Sequence, residues 1–212
     1  MGAMFGFGRS PNQGKQAVET GAYEFGKWRG MMTELFTIRN QYINDDFQAV
    51  QAQPEDTEKV LSLLVETASW LKSKGSSQWN ALLHGEDSHD TPSAIRRGDV
   101  FVFKKEEEIA GMVILMQKPS PWDLKLWGDQ AHAKDKALYL HRLAIRRKYA
   151  RMGLGKSILQ WSTSGIQFKE KSLVRLDCGA DNVRLNAFYA GNGFSYAGAH
   201  EGFSIYEKPV EL

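Results

Sequence analysis

A single cysteine, Cys178, leaves the 212-residue chain without any intramolecular disulfide, and a lone thiol survives best in a reducing compartment. The expected location is therefore cytoplasmic. Long apolar runs are also missing: nowhere do about 18 apolar residues stand together, as a membrane-spanning helix requires. The first thirty residues lack the apolar stretch and small-residue cleavage pattern of an export signal, so neither secretion nor a membrane is expected. An excess of one charge is absent too. With 27 Lys and Arg against 25 Asp and Glu the balance is +2, and basic residues are scattered apart from Arg146, Arg147, Lys148 and Arg151. Such a distribution does not resemble a nucleic-acid arm. No internal repeat is evident.

The length and apolar content suffice for one sizeable core plus an arm. Residues 1–45 form an N-terminal extension, Gly-rich at first, in which Leu35, Ile38 and Tyr42 are spaced to share one helical face. This arm is expected to carry no chemistry. From Phe47 the pattern becomes regular, with a short strand to Gln53 and then Pro54, Glu55 and Asp56 opening a helix. Val60, Leu61, Leu64, Ala68 and Leu71 form its apolar stripe, and Lys72, Lys74 and Gly75 close it. After a polar loop carrying Trp79, Val100 to Phe103 and Ile109 to Met116 read as neighbouring strands around a solvated Glu106, Glu107 and Glu108 turn. Residues 118–135 read as a loop that lines a substrate pocket, because structureless stretches beyond about 12 to 15 residues are uncommon and usually functional.

Ala137 to Ile145 contains a phase slip. Leu138 and Leu140 keep one alternation, Leu143 and Ile145 the other, which predicts a bulge near His141 and Arg142. A helix over about 153–168, a strand from Leu173 to Cys178, a helix from about Asn182 to Ala190 and strands near Phe194 and Phe203 complete the pattern. Interleaved strands and helices predict a mixed α/β class.

The informative stretch is LHRLAIRRKYARMGLGKSIL, Leu140 to Leu159: a strand, a basic loop, two glycines and an amphipathic helix. A helix start offers unpaired N–H groups and a positive dipole end, which suits a phosphate. Gly153 and Gly155 let the backbone approach closely, and Arg151 and Lys156 add charge. A relaxed Walker A reading competes, because Ala150 is followed after four residues by Gly155, Lys156 and Ser157, and Leu173 to Asp177 mimics a Walker B strand. Against it, the charged stretch Arg146 to Lys148 separates strand from turn, and only about sixty residues remain for a parallel sheet.

With the downstream stretch RLDCGADNVRLNAFYAGNGF, Arg175 to Phe194, the chain resembles the GNAT acetyltransferase superfamily. Leu143, Ala144 and Ile145 lead into Ala150 to Gly155, a match to R/Q-x-x-G-x-G/A that departs at Ala150; Asn182, Phe188, Tyr189, Gly193 and Phe194 match the later motif, with Leu185 for alanine. The resemblance covers roughly residues 47 to 208 and assigns 46–212 to one domain. It implies a three-layer fold with a central splayed mixed sheet flanked by helices. It also implies acetyl-CoA as cosubstrate, without a metal. Backbone groups of Leu143, Ala144 and Ile145 would pair with pantetheine, and amides of Arg151, Met152, Gly153, Leu154, Gly155 and Lys156 would hold the pyrophosphate.

The implied reaction is acetyl transfer to a primary amine of a small molecule by direct attack in a ternary complex. Acylation of a protein amine is the next version, and a non-catalytic acyl-CoA sensor the alternative class. A homodimer is admitted. Tyr189 stands where the family places its general acid, or packs as an aromatic. His141 is a candidate base or a structural histidine. Asn182 bonds the coenzyme or caps the following helix. Trp79, Trp122 and Trp127 wall the acceptor pocket or are pinned to the core, and Cys178 reads as core.

Overall fold

The structure, a computed structural model, describes residues 35–211. Two compact units are distinguished, Met1–Thr37 and Ile38–Leu212, and of the first only Leu35 to Thr37 is described. The described end of the arm is not helical. It forms short strands β1 (Phe36–Ile38) and β2 (Tyr42–Ile43), and the rest of the arm lies outside the described residues. Asn44 and Asp45 take φ of 50° and 57°, a left-handed turn these side chains tolerate, and return the chain as β3 (Phe47–Gln51) against β2.

Helix α1 (Thr57–Ser73) buries Val60, Leu63, Leu64 and Ala68. The polar loop that follows contains a helix not expected from sequence, α2 (Thr91–Arg97), capped by Asp90, whose carboxylate accepts from the Ser93 N–H. Strands β4 (Val100–Lys105) and β5 (Glu108–Met116) pair antiparallel. Residues 118–135 are not one loop. Helix α3 (Pro121–Trp127) occupies their middle, with Ser120 and Asp123 closing a capping box and proline in the first turn. Strand β6 (Ala137–Ile145) follows. Helix α4 (Leu154–Ser164) is shorter than expected, and Ile166 and Phe168 belong to strand β7 (Ile166–Phe168). Gly165 ends the helix under the Trp161 indole, where a Cβ would stand 2.2 Å from a ring carbon. Strand β8 (Leu173–Gly179), helix α5 (Val183–Gly191) and strands β9 (Ser195–His200) and β10 (Phe203–Pro209) complete the chain.

Eight strands join in the order β2-β3-β4-β5-β6-β8-β10-β9. Every neighbouring pair is antiparallel except β6 and β8. Alternation sorts the two faces. Val100 and Val102 pack with the apolar stripe of α1, whereas Phe101 and Phe103 lie against Trp161 of α4. Helices thus cover both sides in three layers. Gly111 permits the approach of α4, since a Cβ there would meet Ile158 Cδ1 at 2.7 Å.

The parallel pairing of β6 with β8 runs only from Ala137↔Leu173 to Tyr139↔Arg175, after which the strands diverge. Their joined end is bolted by polar groups. Arg175 lies 4.3 Å from the Trp127 ring centroid, donates to the Gln130 carbonyl at 2.7 Å and pairs with Glu207 at 3.2 Å. Tyr139 donates to Asp135 at 2.5 Å, and Lys171 reaches the Gln117 and Asp135 carbonyls. A mixed, largely antiparallel sheet is not the parallel sheet that a Walker A turn needs, so that reading falls. Among the described residues no helix is long and apolar enough to cross a membrane.

Candidate active site

Beyond Tyr139 the diverging strands open a cleft of about 1130 Å³, walled by β6 on one side and by β8, α5 and β10 on the other. The expected bulge is present. Ile114 pairs with His141 and Met112 with Ala144, so Arg142 and Leu143 stand opposite Val113 alone. Arg142 takes φ of 53°, and its buried guanidinium lies 4.9 Å from the Trp79 ring centroid. It donates to Ser88 Oγ at 3.2 Å and stands 3.6 Å from Asp87. Leu143 has no partner in the register with β5, and from Leu140 onward β6 has none in β8.

The basic loop beyond β6 is tied down from α1. Glu66 accepts from the Arg146 guanidinium at 2.7 Å and from the Arg147 N–H at 2.8 Å, and Arg147 lies over the Trp70 ring at 3.9 Å. Arg151 and Gly153, with φ of 68° and 75°, then turn the chain into α4. Ser157 is the first residue of that helix whose N–H reaches a helical carbonyl, that of Gly153, so the preceding amides end the helix unpaired by it. Gly155 sits beside Leu143, where a Cβ would lie 3.8 Å from its side chain. The helix start therefore adjoins the bulge.

Leu143, Ala144, Ile145 and Gly155 line the cleft. Arg151, Met152, Gly153 and Lys156 form the exposed turn at its margin, and the Leu154 side chain is buried in the core. Asn182 caps α5, its Oδ1 accepting from the Leu185 N–H at 3.1 Å. Tyr189 lines the cleft and is buried with Phe188, Phe194 and Tyr206 around it. Burial, then the nearby Cys178 and Asp177, raises its pKa. The Cys178 thiol is itself pushed up to about 11, first by burial. Trp79 and Trp122 line the cleft, whereas Trp127 lies in the core at 3 % exposure, with Leu126, Ala131 and Ile205. Trp127 is thus no pocket wall, because its ring is spent on Arg175 and the sheet.

His141 projects into the cleft wall, with Nε2 3.2 Å from Asp123 Oδ2 and its ring centroid 4.6 Å from that of His89. Burial works against the Asp123 carboxylate, but hydrogen bonds from His141 and Ser120 outweigh it and hold its pKa low. His89 is held at about 3 by burial and by the charges of His141 and Arg142, so its ring is neutral at pH 7. Asp177, at the far end of β8, completes the group. Donor atoms of Asp123, His141 and Asp177 all lie within 4.8 Å of one another, close enough to share one cation. Burial raises the pKa of Asp177, the His141 charge opposes this and the Asp123 charge adds to it, while a Trp122 hydrogen bond favours the ionised form.

Sequence reasoning missed Asp123, Asp177 and His89. For Asp123 a signal existed, the Ser-Pro-Trp-Asp capping pattern at 120–123. For Asp177 and His89 the proximity arises only when β6, β8 and the loop before α2 converge.

Residues 64–194 match the profile of the acetyltransferase (GNAT) family. The uncharacterized N-acetyltransferase YesJ of Bacillus subtilis (strain 168) is 48% identical over 176 residues, which cover 82% of this chain and 97% of the relative. The crystal structure of a GNAT-family acetyltransferase from Listeria monocytogenes 4b F2365 superposes with a TM-score of 0.65 at 36% identity, covering 77% of this chain and 94% of that one. The PaiA N-acetyltransferase from Thermoplasma acidophilum, solved in complex with coenzyme A, shares the fold at a TM-score of 0.57 and 16% identity, over 77% of this chain and 98% of that one. With the splayed sheet, the bulge and the glycine turn in place, these matches assign the chain to the acetyltransferase (GNAT) family and make it an acyltransferase.

Proposed function

We propose that the chain transfers the acetyl group of acetyl-CoA to a primary amine of a small molecule, by direct attack of the amine on the thioester in a ternary complex. The observation that carries this reading is the unpaired β6 edge, which opens onto a deep cleft beside the start of α4. A pantetheine arm is a chain of amides, and it fits a strand edge that still has backbone groups to share. A diphosphate fits the amides from Arg151 to Lys156, where the helix dipole and two positive φ angles turn N–H groups outward. When bound, acetyl-CoA supplies an activated acyl carbon with a thiolate leaving group.

The protein residues do the rest. A backbone N–H near Leu143 stabilises the oxyanion formed at the thioester carbonyl. In its neutral form His141, held by Asp123, accepts a proton from the incoming ammonium directly or through water, which frees the nitrogen lone pair. The C–N bond forms as the C–S bond breaks. Tyr189 is fully protonated at neutral pH and gives its proton to the departing sulfur. It recovers one from the acylated nitrogen through the site, so one proton is released to solvent for each ammonium consumed.

The test is calorimetric titration with acetyl-CoA, followed by a thiol-release assay against polyamines, aminoglycosides, amino acids and peptides. Uptake of the cosubstrate and thiol release with a small amine are expected. Gly153→Glu is expected to abolish uptake, since it sets a carboxylate and a strained φ at the pyrophosphate turn. Absence of uptake by the unaltered protein refutes the reading.

A further inference from the structure

The charges around the acceptor end of the cleft do not balance, and the imbalance sits on one residue. Arg142 faces Asp87 at 3.6 Å and Ser88, so that cation is already matched. Its guanidinium also covers a face of Trp79. Asp123 accepts from Ser120 Oγ at 2.6 Å and from the Ser120 N–H at 2.8 Å, besides facing His141 Nε2. His89 is neutral. Tyr189 and Cys178, the other titratable groups beside Asp177, are both uncharged at neutral pH. Asp177 thus has no permanent cation: its partners are the Trp122 indole, which is only polar, and His141, which is a cation only when protonated, while it stands in a cleft lined by Trp122, Leu185 and Tyr189.

A carboxylate drawn out of water without a cation of its own is costly, and a cation delivered to it recovers that cost. The grouping of Asp123, His141 and Asp177 within 4.8 Å has room for one positive centre between them. We propose that Asp177 is a specificity-determining residue: it anchors the acceptor as its ammonium ion and so selects alkylamines that are cationic at neutral pH over weakly basic amines that are not. The inference rests on the acetyl-transfer reading above. Asp177 touches the acceptor nitrogen, and Asp123 acts as a positioning residue through His141. Once the ammonium proton has moved to His141, the imidazolium lies between two carboxylates, so the charge of the group is unchanged by the transfer. The neutral nitrogen is then left beside the thioester carbon, with Tyr189 on the sulfur side.

The experiment uses the full chain with acetyl-CoA and measures thiol release with spermidine, benzylamine and aniline. The first two are ammonium ions at pH 7 and aniline is not. The unaltered enzyme is expected to favour spermidine or benzylamine. Asp177→Asn is expected to lower the ratio of kcat/KM for the better cationic amine over aniline on the order of 100-fold, mostly through KM. Asp177→Glu is expected to restore part of that ratio, and calorimetry should find acetyl-CoA uptake retained in both variants. An unaltered enzyme that used aniline alone, or none of the three, overturns the proposal, as does an Asn variant with an unchanged ratio. Loss of activity to a chelator, restored by a divalent metal, overturns it too, because the shared cation is then a metal. If the Asn variant does not fold, inhibition of the unaltered enzyme decides: n-butylguanidinium should compete with the amine and uncharged n-butylurea should not, and equal inhibition by both sinks the idea. Failure of acetyl-CoA to bind at all refutes the acetyl-transfer reading instead, so the two failures are distinguishable.

Discussion

Tyr189 illustrates how a side chain acquires a role from its surroundings. In water a phenol holds its proton weakly enough to ionise near ~10, but here burial raises that value, so in the proposed reaction the hydroxyl would meet a departing thiolate as a full donor. Replacing it by phenylalanine keeps the ring packing with Phe194 and Tyr206 and removes only the proton source. Tyr189→Phe is expected to bind acetyl-CoA as before and to lose turnover by about 100-fold, read as kcat in the thiol-release assay. Unchanged kcat would remove the assignment. The place of Tyr189 at the cleft was legible in the sequence because motif spacing surrounds it. Asp177 was not: an acid in an alternating strand looks the same whether it faces solvent or a cleft, and only the position of β6 decides. Trp127 went astray for a related reason, since a tryptophan between turn residues gives no sign of the distant Arg175 that claims its face.

At the scale of elements, α3 ties a local device to the site. Ser120 caps the helix, and Asp123 returns the bond while also holding His141, so one carboxylate serves the helix end and the histidine together. Ser120→Ala is expected to lower unfolding free energy by about 1 kcal/mol, measured by urea titration. Its kcat/KM should fall as well, since Asp123 then orients His141 less firmly; a stability loss with unaltered kinetics would separate the cap from the site. The helix was hidden by its own ends: prolines and tryptophans mark the stretch as a loop, and seven residues are too few to display a period. The opposite error affected Leu35, Ile38 and Tyr42, whose spacing suggested a helix, whereas the Asn44-Asp45 turn had already marked a hairpin. By contrast, α1 and the β6 bulge were readable, because each is written in a run of neighbouring residues rather than in a distant partner.

For the molecule as a whole, the joined end of β6 and β8 decides where the cleft begins. Arg175 interrupts an otherwise apolar strand, a feature that from sequence only weakened a rival reading. Folded, it pairs with Glu207, reaches the Gln130 carbonyl and stacks on Trp127. Removing a single partner of a buried ionic network leaves the others unmatched, and Arg175→Met is expected to cost about 3 kcal/mol in a urea titration. Acetyl-CoA uptake by the folded fraction should persist, since the residue is remote from the glycine turn; a loss of under about 0.5 kcal/mol would show that the bolt carries no weight. The parallel register could not be foreseen, because it depends on strands separated in sequence by α4 and β7.

Three residue pairs are all the register that joins β2 through β6 to β8, β10 and β9. The described sheet is therefore two half-sheets that meet along a short line, and a guest seated beyond Tyr139 lies between them and touches both.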